Sequence, residues 1–264
     1  MSSQWLPDLE LALALADAAD RVSMSRYLAL DLKVETKPDS SPVTEADKAT
    51  ESALRTMLAD QRPADGLLGE EFGTESQEAP RRWILDPIDG TKNYMRGVPV
   101  WSTLIALEAD GELVVGVVSA PALGRRWWAS RGAGAFTQDV TGAIRRLHVS
   151  AVAELSDASF SFSDEEWWQE RGAAAGLRTL IEDTWRARGY GDFLSHMFVA
   201  EGAVDIAAEP ALAPWDMAAL VPIVEEAGGR ITAFDGGPAL TGHCAVTTNG
   251  HLHEVTLGVL RATS

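Results

Sequence analysis

Residues 83–91 read Trp83-Ile84-Leu85-Asp86-Pro87-Ile88-Asp89-Gly90-Thr91, and the fold is decided by this stretch. Trp83, Ile84 and Leu85 form an apolar run that predicts a strand ending at Asp86. Pro87 fixes φ and removes an N–H, so the turn that carries Asp86 and Asp89 is stiff. Two carboxylates on a stiff turn at a strand end can face one group of cations. Gly90 lets the backbone approach a ligand closely. A helix starting just after it aims the N–H groups of Gly90 and Thr91 at an anion. Acid pair, close backbone and helix start together predict a site for metal and phosphate. An Asp-Gly pair alone is ordinary turn chemistry, and the full run is far more specific.

Outward from this stretch, short apolar runs alternate with turn residues. Upstream, residues 8–30 place Leu9, Leu13, Ala16, Ala19 and Val22 at helical spacing, interrupted by Asp17 and Asp20. Residues 36–43 hold two prolines and predict a loop. Thr44 opens a second helix with Leu54, Met57 and Leu58 on its apolar face, and Thr44 with Asp47 resembles a capping box. Residues 67–69, 102–108 and 113–120 predict strands, several of them antiparallel neighbours, with further strands at 125–137 and 145–149. The second half mixes strands (158–162, 230–233, 244–247) with helices (about 193–202, 215–228 and 251–261). This is a layered mixture of α and β elements. A single domain of residues 1–264 is expected. If it has halves, 1–150 and 151–264, they join near residues 150–157.

The composition excludes several classes. The chain has 264 residues, of which 46% are hydrophobic, enough for a sizeable core. Lys plus Arg is 22 and Asp plus Glu is 39, a formal net charge of −17 that repels nucleic acid and anionic membranes. Neither a membrane span nor a signal peptide is expected. A single cysteine, Cys244, fits a reducing cytoplasm and a small buried side chain. The five histidines, His148, His196, His243, His251 and His253, lack a metal-binding spacing and are expected at the surface or in packing.

Two further acidic segments fit the site predicted at 83–91. Glu70-Glu71 follows an apolar run ending at Gly69, and Trp215-Asp216 starts an apolar helical stretch. With these residues the sequence resembles the inositol monophosphatase family of lithium-sensitive, Mg²⁺-dependent phosphatases. The family pattern is an acidic pair, then DPIDGT, then WD near a late helix. Lys37, Thr44-Glu45-Ala46-Asp47 and Val224-Glu225-Glu226-Ala227-Gly228-Gly229 extend the match over about residues 33–250.

The resemblance implies an α+β fold, the five-layered αβαβα sandwich of the sugar phosphatases. It implies that Glu70, Asp86 and the Ile88 carbonyl hold one Mg²⁺, and that Asp86, Asp89 and Asp216 hold a second. A third, weaker ion is implied near Glu70. Thr91 and Glu70 are expected to orient the attacking water, with Asp47 holding Thr91. Gly90, Thr91, Asp89 and Asp216 are expected around the substrate. A cytoplasmic homodimer acting on a small phosphate monoester is implied too.

Within the family, residues 96–101, 125–128, 188–192 (RGYGD) and 199–202 look closest to the histidinol-phosphate phosphatases of bacterial histidine synthesis. Inositol phosphatases carry different residues around the RGYGD stretch. Arg188, Asp192 and Glu209, the last seven residues before Asp216, are expected to form the wall around the leaving alcohol. Carboxylates suit the ammonium and imidazole of histidinol phosphate. The alternatives are an inositol monophosphatase or broad sugar phosphatase, a nucleotide phosphatase, and a non-catalytic metal-binding protein. The intact set of Glu70, Thr91 and Asp47 weighs against the last. Trp127 and Trp128 are expected to face opposite ways from one strand, with at least one in the core.

Overall fold

The computed structural model describes residues 4–37, 41–76 and 78–262. The first three residues and the middle of the expected 36–43 loop lie outside them. Helix α1 (Leu6–Arg26) leads into a short antiparallel pair, β1 (Val34–Thr36) and β2 (Pro42–Thr44), and then α2 (Glu45–Gln61). Thr44 caps α2 in a capping box: its hydroxyl accepts from Asp47 N–H while Asp47 accepts from Thr44 N–H.

Among the described residues, eight strands form the first sheet: β3 (Gly66–Gly69), β4 (Gly73–Glu75), β5 (Arg81–Asp89), β6 (Ser102–Ala109), β7 (Glu112–Ala120), β8 (Arg125–Ser130), β9 (Gly134–Gln138) and β10 (Ile144–Arg146). Helix α3 (Thr91–Arg96) stands between β5 and β6. The sheet order is β10-β9-β8-β7-β6-β5-β3-β4, antiparallel except for the parallel pair β3/β5.

The second sheet is built of β11 (Ser159–Phe162), β12 (Arg186–Ala187), β13 (Ile206–Glu209), β14 (Arg230–Thr232) and β15 (Ala245–Thr248), in the order β12-β11-β13-β15-β14. The helices of this half are α4 (Glu165–Glu170), α5 (Ala174–Asp183), α6 (Asp192–Ala200), α7 (Pro214–Ala218), α8 (Leu220–Glu226), α9 (Ala239–Gly242) and α10 (His253–Ala262). The expected helix at 215–228 is thus two, and β13, α4 and α5 were not foreseen.

Strand alternation stacks these elements into layers. Trp83 and Leu85 of β5, with Ile105 and Leu107 of β6, pack under Ala12, Leu15, Leu54 and Leu58 of α1 and α2. Ile84, Leu104 and Ala106 point to the opposite face and meet Phe193, Met197, Met217, Ile223 and Val224 of α6–α8. Beyond that helical layer lies the second sheet, whose outer face (Phe160, Ala208, Val246) packs on α5 and α10 through Leu177, Leu180 and Leu257. The result is the five-layered αβαβα sandwich. Trp127 sits in the inner cluster against Phe193, while Trp128 on the other face stacks on Phe136. Cys244 is buried and its sulfur accepts from Phe234 N–H. No helix of the described residues is long and apolar enough to cross a membrane.

Candidate active site

The strand does not end at Asp86. β5 runs on to Asp89, with a register shift after Asp86: Asp86 pairs with Leu104, and Asp89 with Ser102. Pro87 occupies this bulge, where a missing N–H costs no ladder bond. Its carbonyl accepts from the Thr103 hydroxyl at 2.8 Å. Alternation places Asp86 on the same face as Ile84, towards α6–α8. There Asp216, in the first turn of α7, accepts from Ala213 N–H at 2.7 Å. The side chains of Asp86, Asp89 and Asp216 bring carboxylate oxygens within 4.8 Å of one another.

Gly90 adopts φ +82°, and a Cβ there would lie 3.0 Å from the Val100 carbonyl and 3.2 Å from Asp192 Oδ2. Glycine is therefore required between the bulge and α3. Thr91 opens α3, its hydroxyl 3.1 Å from Asp47 Oδ1 and 3.0 Å from the Ile88 carbonyl. One hydroxyl proton serves either acceptor, and the oxygen keeps lone pairs for a further donor. Asp47 is anchored by Thr44, whose N–H and hydroxyl both donate to its Oδ2.

A cavity of about 730 Å³ gathers Glu70, Asp86, Asp89, Asp192, Glu209 and Asp216, together with Ile88, Gly90 and Thr91. Asp192 starts α6 at φ +45°, and its Oδ2 accepts from Asn93 Nδ2 at 2.9 Å. The next residue, Phe193, donates its N–H to Asp89 Oδ2 at 3.1 Å. Glu209 ends β13 and is 3% exposed.

At three residues the structure adds to or departs from the sequence expectations. Glu70 lines the cavity but stays out of the close carboxylate trio, because Lys37 Nζ draws its Oε1 to 2.7 Å and takes Glu71 Oε1 at the same distance. Arg188 does not reach the cavity wall: it is exposed just beyond the edge strand β12, and its guanidinium donates to the Ala187 carbonyl at 2.6 Å. His196 is buried, as the packing expectation allows, and it also borders the cavity, its Nε2 3.2 Å from Glu209 Oε1. A signal for it was available. His196 lies in the apolar run of α6 between Phe193 and Ala200, where a buried polar residue must have a partner.

The cluster is electrostatically unfinished. Asp86 is 2% exposed, and its Oδ1 is buried with no hydrogen-bond partner among the described residues. Burial, then Glu70, Asp89, Asp216 and Asp47, push Asp86 well above the usual carboxylate range. Burial, then Asp192 and Asp216, do the same to Asp89. Burial carries Asp216 up to about 7 against the pull of the Ala213 N–H, helped by Glu70, Glu209 and Asp192. Asp192 rises to about 7 through burial and then the charges of Glu209 and Asp164. A cation among Asp86, Asp89 and Asp216 would offset their repulsion, so the donor set fits a divalent metal with hard oxygen ligands.

The sign of the pH dependence follows. These acids bind protons more tightly folded than unfolded, so the folded state gains on acidification. In EDTA the melting midpoint is expected to fall as pH rises from about 4 to about 7, the window between the ordinary carboxylate value and that of Asp192 and Asp216. A saturating divalent cation should flatten that slope. A profile in EDTA that is flat or rises over this window contradicts the repulsion account.

The sequence model of the inositol monophosphatase family matches residues 5–263. The chain belongs to this family. A histidinol-phosphatase of Streptomyces coelicolor is 56% identical over 260 residues, covering 97% of both chains. One of Mycobacterium tuberculosis is 56% identical over 255 residues, covering 97% of this chain and 98% of its own. Among solved structures, the suhB protein of Bartonella henselae superposes with a TM-score of 0.88 at 30% identity, covering 97% of this chain and 98% of its own. The inositol monophosphatase family is metal-dependent, in keeping with the unfinished acidic cluster.

Proposed function

We propose that this chain is a Mg²⁺-dependent phosphomonoesterase that hydrolyses L-histidinol phosphate to L-histidinol and phosphate. The observation that carries the reading is the 56% identity, over nearly the whole chain, to two proteins named histidinol-phosphatase. The half-buried Asp192 and the buried Glu209, which line the same cavity as the acidic trio, support it, since they suit a leaving alcohol that bears an ammonium and an imidazole.

Glu70, Asp86, Asp89, Asp216 and the Ile88 carbonyl are the groups that would hold two to three ions. Bound Mg²⁺ supplies positive charge against the phosphate dianion and lowers the pKa of water toward about 7. Thr91, its proton committed to Asp47 or to the Ile88 carbonyl, accepts a hydrogen bond from the attacking water and sets its direction. Glu70 receives the water's proton, for which its carboxylate must leave Lys37, and the alkoxide released as the P–O bond breaks takes a proton from solvent water. The opening N–H groups of α3, which lack intrahelical partners, face the phosphate oxygens. Asp192, fixed by Asn93, and Glu209 take the cationic end of the alcohol. Positioning and charge do the work, as in other phosphoryl transfers, with no covalent phosphoenzyme. The homodimer implied by the family belongs to the same reading, and sedimentation tests it.

The test is phosphate release from histidinol phosphate, inositol phosphate, fructose bisphosphate and phosphoadenosine phosphate. Histidinol phosphate should give the highest kcat/KM. Charge-assisted hydrogen bonds contribute roughly 1.5–3 kcal/mol, so Glu209→Gln or Asp192→Asn should lower kcat/KM for it about tenfold or more. Inositol phosphate, a neutral polyol beyond its phosphate, should lose much less. Equal losses on both esters would assign these carboxylates to the fold or the metals and remove the physical support for the substrate.

A further inference from the structure

We infer that His196 is a positioning residue that sets Glu209 for the leaving alcohol, an inference that rests on the histidinol phosphate reading. The sheet register explains how it does so. β13 and β15 pair antiparallel, with Ala207 opposite Thr247 and Glu209 opposite Ala245. Paired residues share a face, so Thr247 and Glu209 are diagonal neighbours on the side of the sheet that meets α6. One imidazole from α6 bridges that diagonal. Its Nδ1 lies 2.7 Å from Thr247 Oγ1 and its Nε2 3.2 Å from Glu209 Oε1.

The ring is 1% exposed and Thr247 is fully buried, so no solvent competes for either contact. A carboxylate oxygen accepts, so the Nε2–H donates to Glu209 and the Thr247 hydroxyl holds the opposite nitrogen. An imidazole held at both nitrogens cannot turn. It occupies Oε1 of Glu209 and leaves the second oxygen to a ligand. A glutamate otherwise loses rotamer freedom when it binds a substrate. Here that loss is met in the folded protein, before the ester arrives. His196 touches the carboxylate from behind and reaches the ester through it.

The experiment is a double-mutant cycle in the full-length, Mg²⁺-loaded enzyme, with histidinol phosphate and inositol phosphate as substrates. His196→Phe keeps the volume and removes the donor. It should raise KM for histidinol phosphate about tenfold, the worth of one held charge-assisted contact, with kcat within about twofold. His196→Gln returns an amide donor at similar reach and should recover most of the loss. Thr247→Val, which frees the ring at its far nitrogen, should move KM in the same direction as His196→Phe. In the Glu209→Gln background, His196→Phe should change KM by less than about twofold.

Multiplicative effects of His196→Phe and Glu209→Gln, or no recovery in a folded His196→Gln, would overturn the positioning role. A drop in kcat on both esters alike would do the same. The substrate reading fails separately, if Glu209→Gln lowers both esters equally or if the wild type does not turn over histidinol phosphate. The coupling of His196 to Glu209 is then read on whichever ester is hydrolysed, and its absence there overturns the inference.

Discussion

Asp86→Asn should abolish phosphatase activity and at the same time make the metal-free protein harder to unfold. The two effects have one origin. Asp86 is the most enclosed member of the trio, 2% exposed, and its Oδ1 has no hydrogen-bond partner among the described residues. With a cation present that oxygen would be free to serve as a ligand, and losing the Asp86 charge would weaken whatever ions the trio holds. The electrostatic help of a metal is worth several kcal/mol in such reactions, so the loss in kcat should be on the order of 10³-fold or more. Without a cation, the same carboxylate is repelled by Glu70, Asp89, Asp216 and Asp47 and has lost its water. Its raised pKa means that folding is penalised above the unfolded value near 3.8, and the penalty grows until the pH reaches the folded value. Asparagine carries no such penalty. The melting midpoint of Asp86→Asn in EDTA should therefore exceed that of the wild type at pH 8, and the gap should close near pH 4. Turnover close to wild type at saturating Mg²⁺ would refute a ligand role for Asp86. An unchanged midpoint at pH 8 would refute the repulsion.

Much of this site was legible because its pieces are local. The apolar run before Asp86, the proline, the second aspartate and the glycine lie within nine consecutive residues, and the capping box of Thr44 and Asp47 within four. Interactions across sheets were harder to read. The strand was expected to stop at Asp86, where its apolar run ends, yet the bulge absorbs Pro87 and the strand continues to Asp89. β13 went unread because Ile206-Ala207-Ala208-Glu209 has small residues where a strand signal needs branched or aromatic ones. With β13 missing, the partner of His196 was invisible. Arg188 was expected in the wall through the RGYGD resemblance, but β12 at the sheet edge leaves it outside. Glu70 illustrates a third limit: a carboxylate's nearest cation, here Lys37 from 33 residues upstream, depends on a loop path that spacing does not encode.

The role assigned to Thr91 separates positioning from ligation. Its hydroxyl lies 3.1 Å from Asp47 Oδ1 and 3.0 Å from the Ile88 carbonyl, both of which only accept. Whichever takes the proton, the oxygen is turned to receive a hydrogen bond, the orientation required to aim a water. Asp47 is held in turn by the N–H and hydroxyl of Thr44 at the start of α2, so the direction of the Thr91 hydroxyl is fixed by two helix starts. The trio of Asp86, Asp89 and Asp216 is complete without Thr91. Thr91→Ala should thus leave the Mg²⁺ concentration for half-maximal activity within about threefold of wild type. It should lower kcat about 10²- to 10³-fold, the usual loss when one positioned contact to the reacting group is removed. Thr91→Ser keeps the hydroxyl and should retain most of the rate. Asp47→Asn tests the chain behind it: kcat should fall with little change in the Mg²⁺ requirement, because the amide can turn a donor toward Thr91 and reverse the sense of the hydrogen bond. If Thr91→Ala instead raises the Mg²⁺ requirement sharply and regains its rate at saturating metal, then Thr91 serves the ions and the water must be aimed by another group.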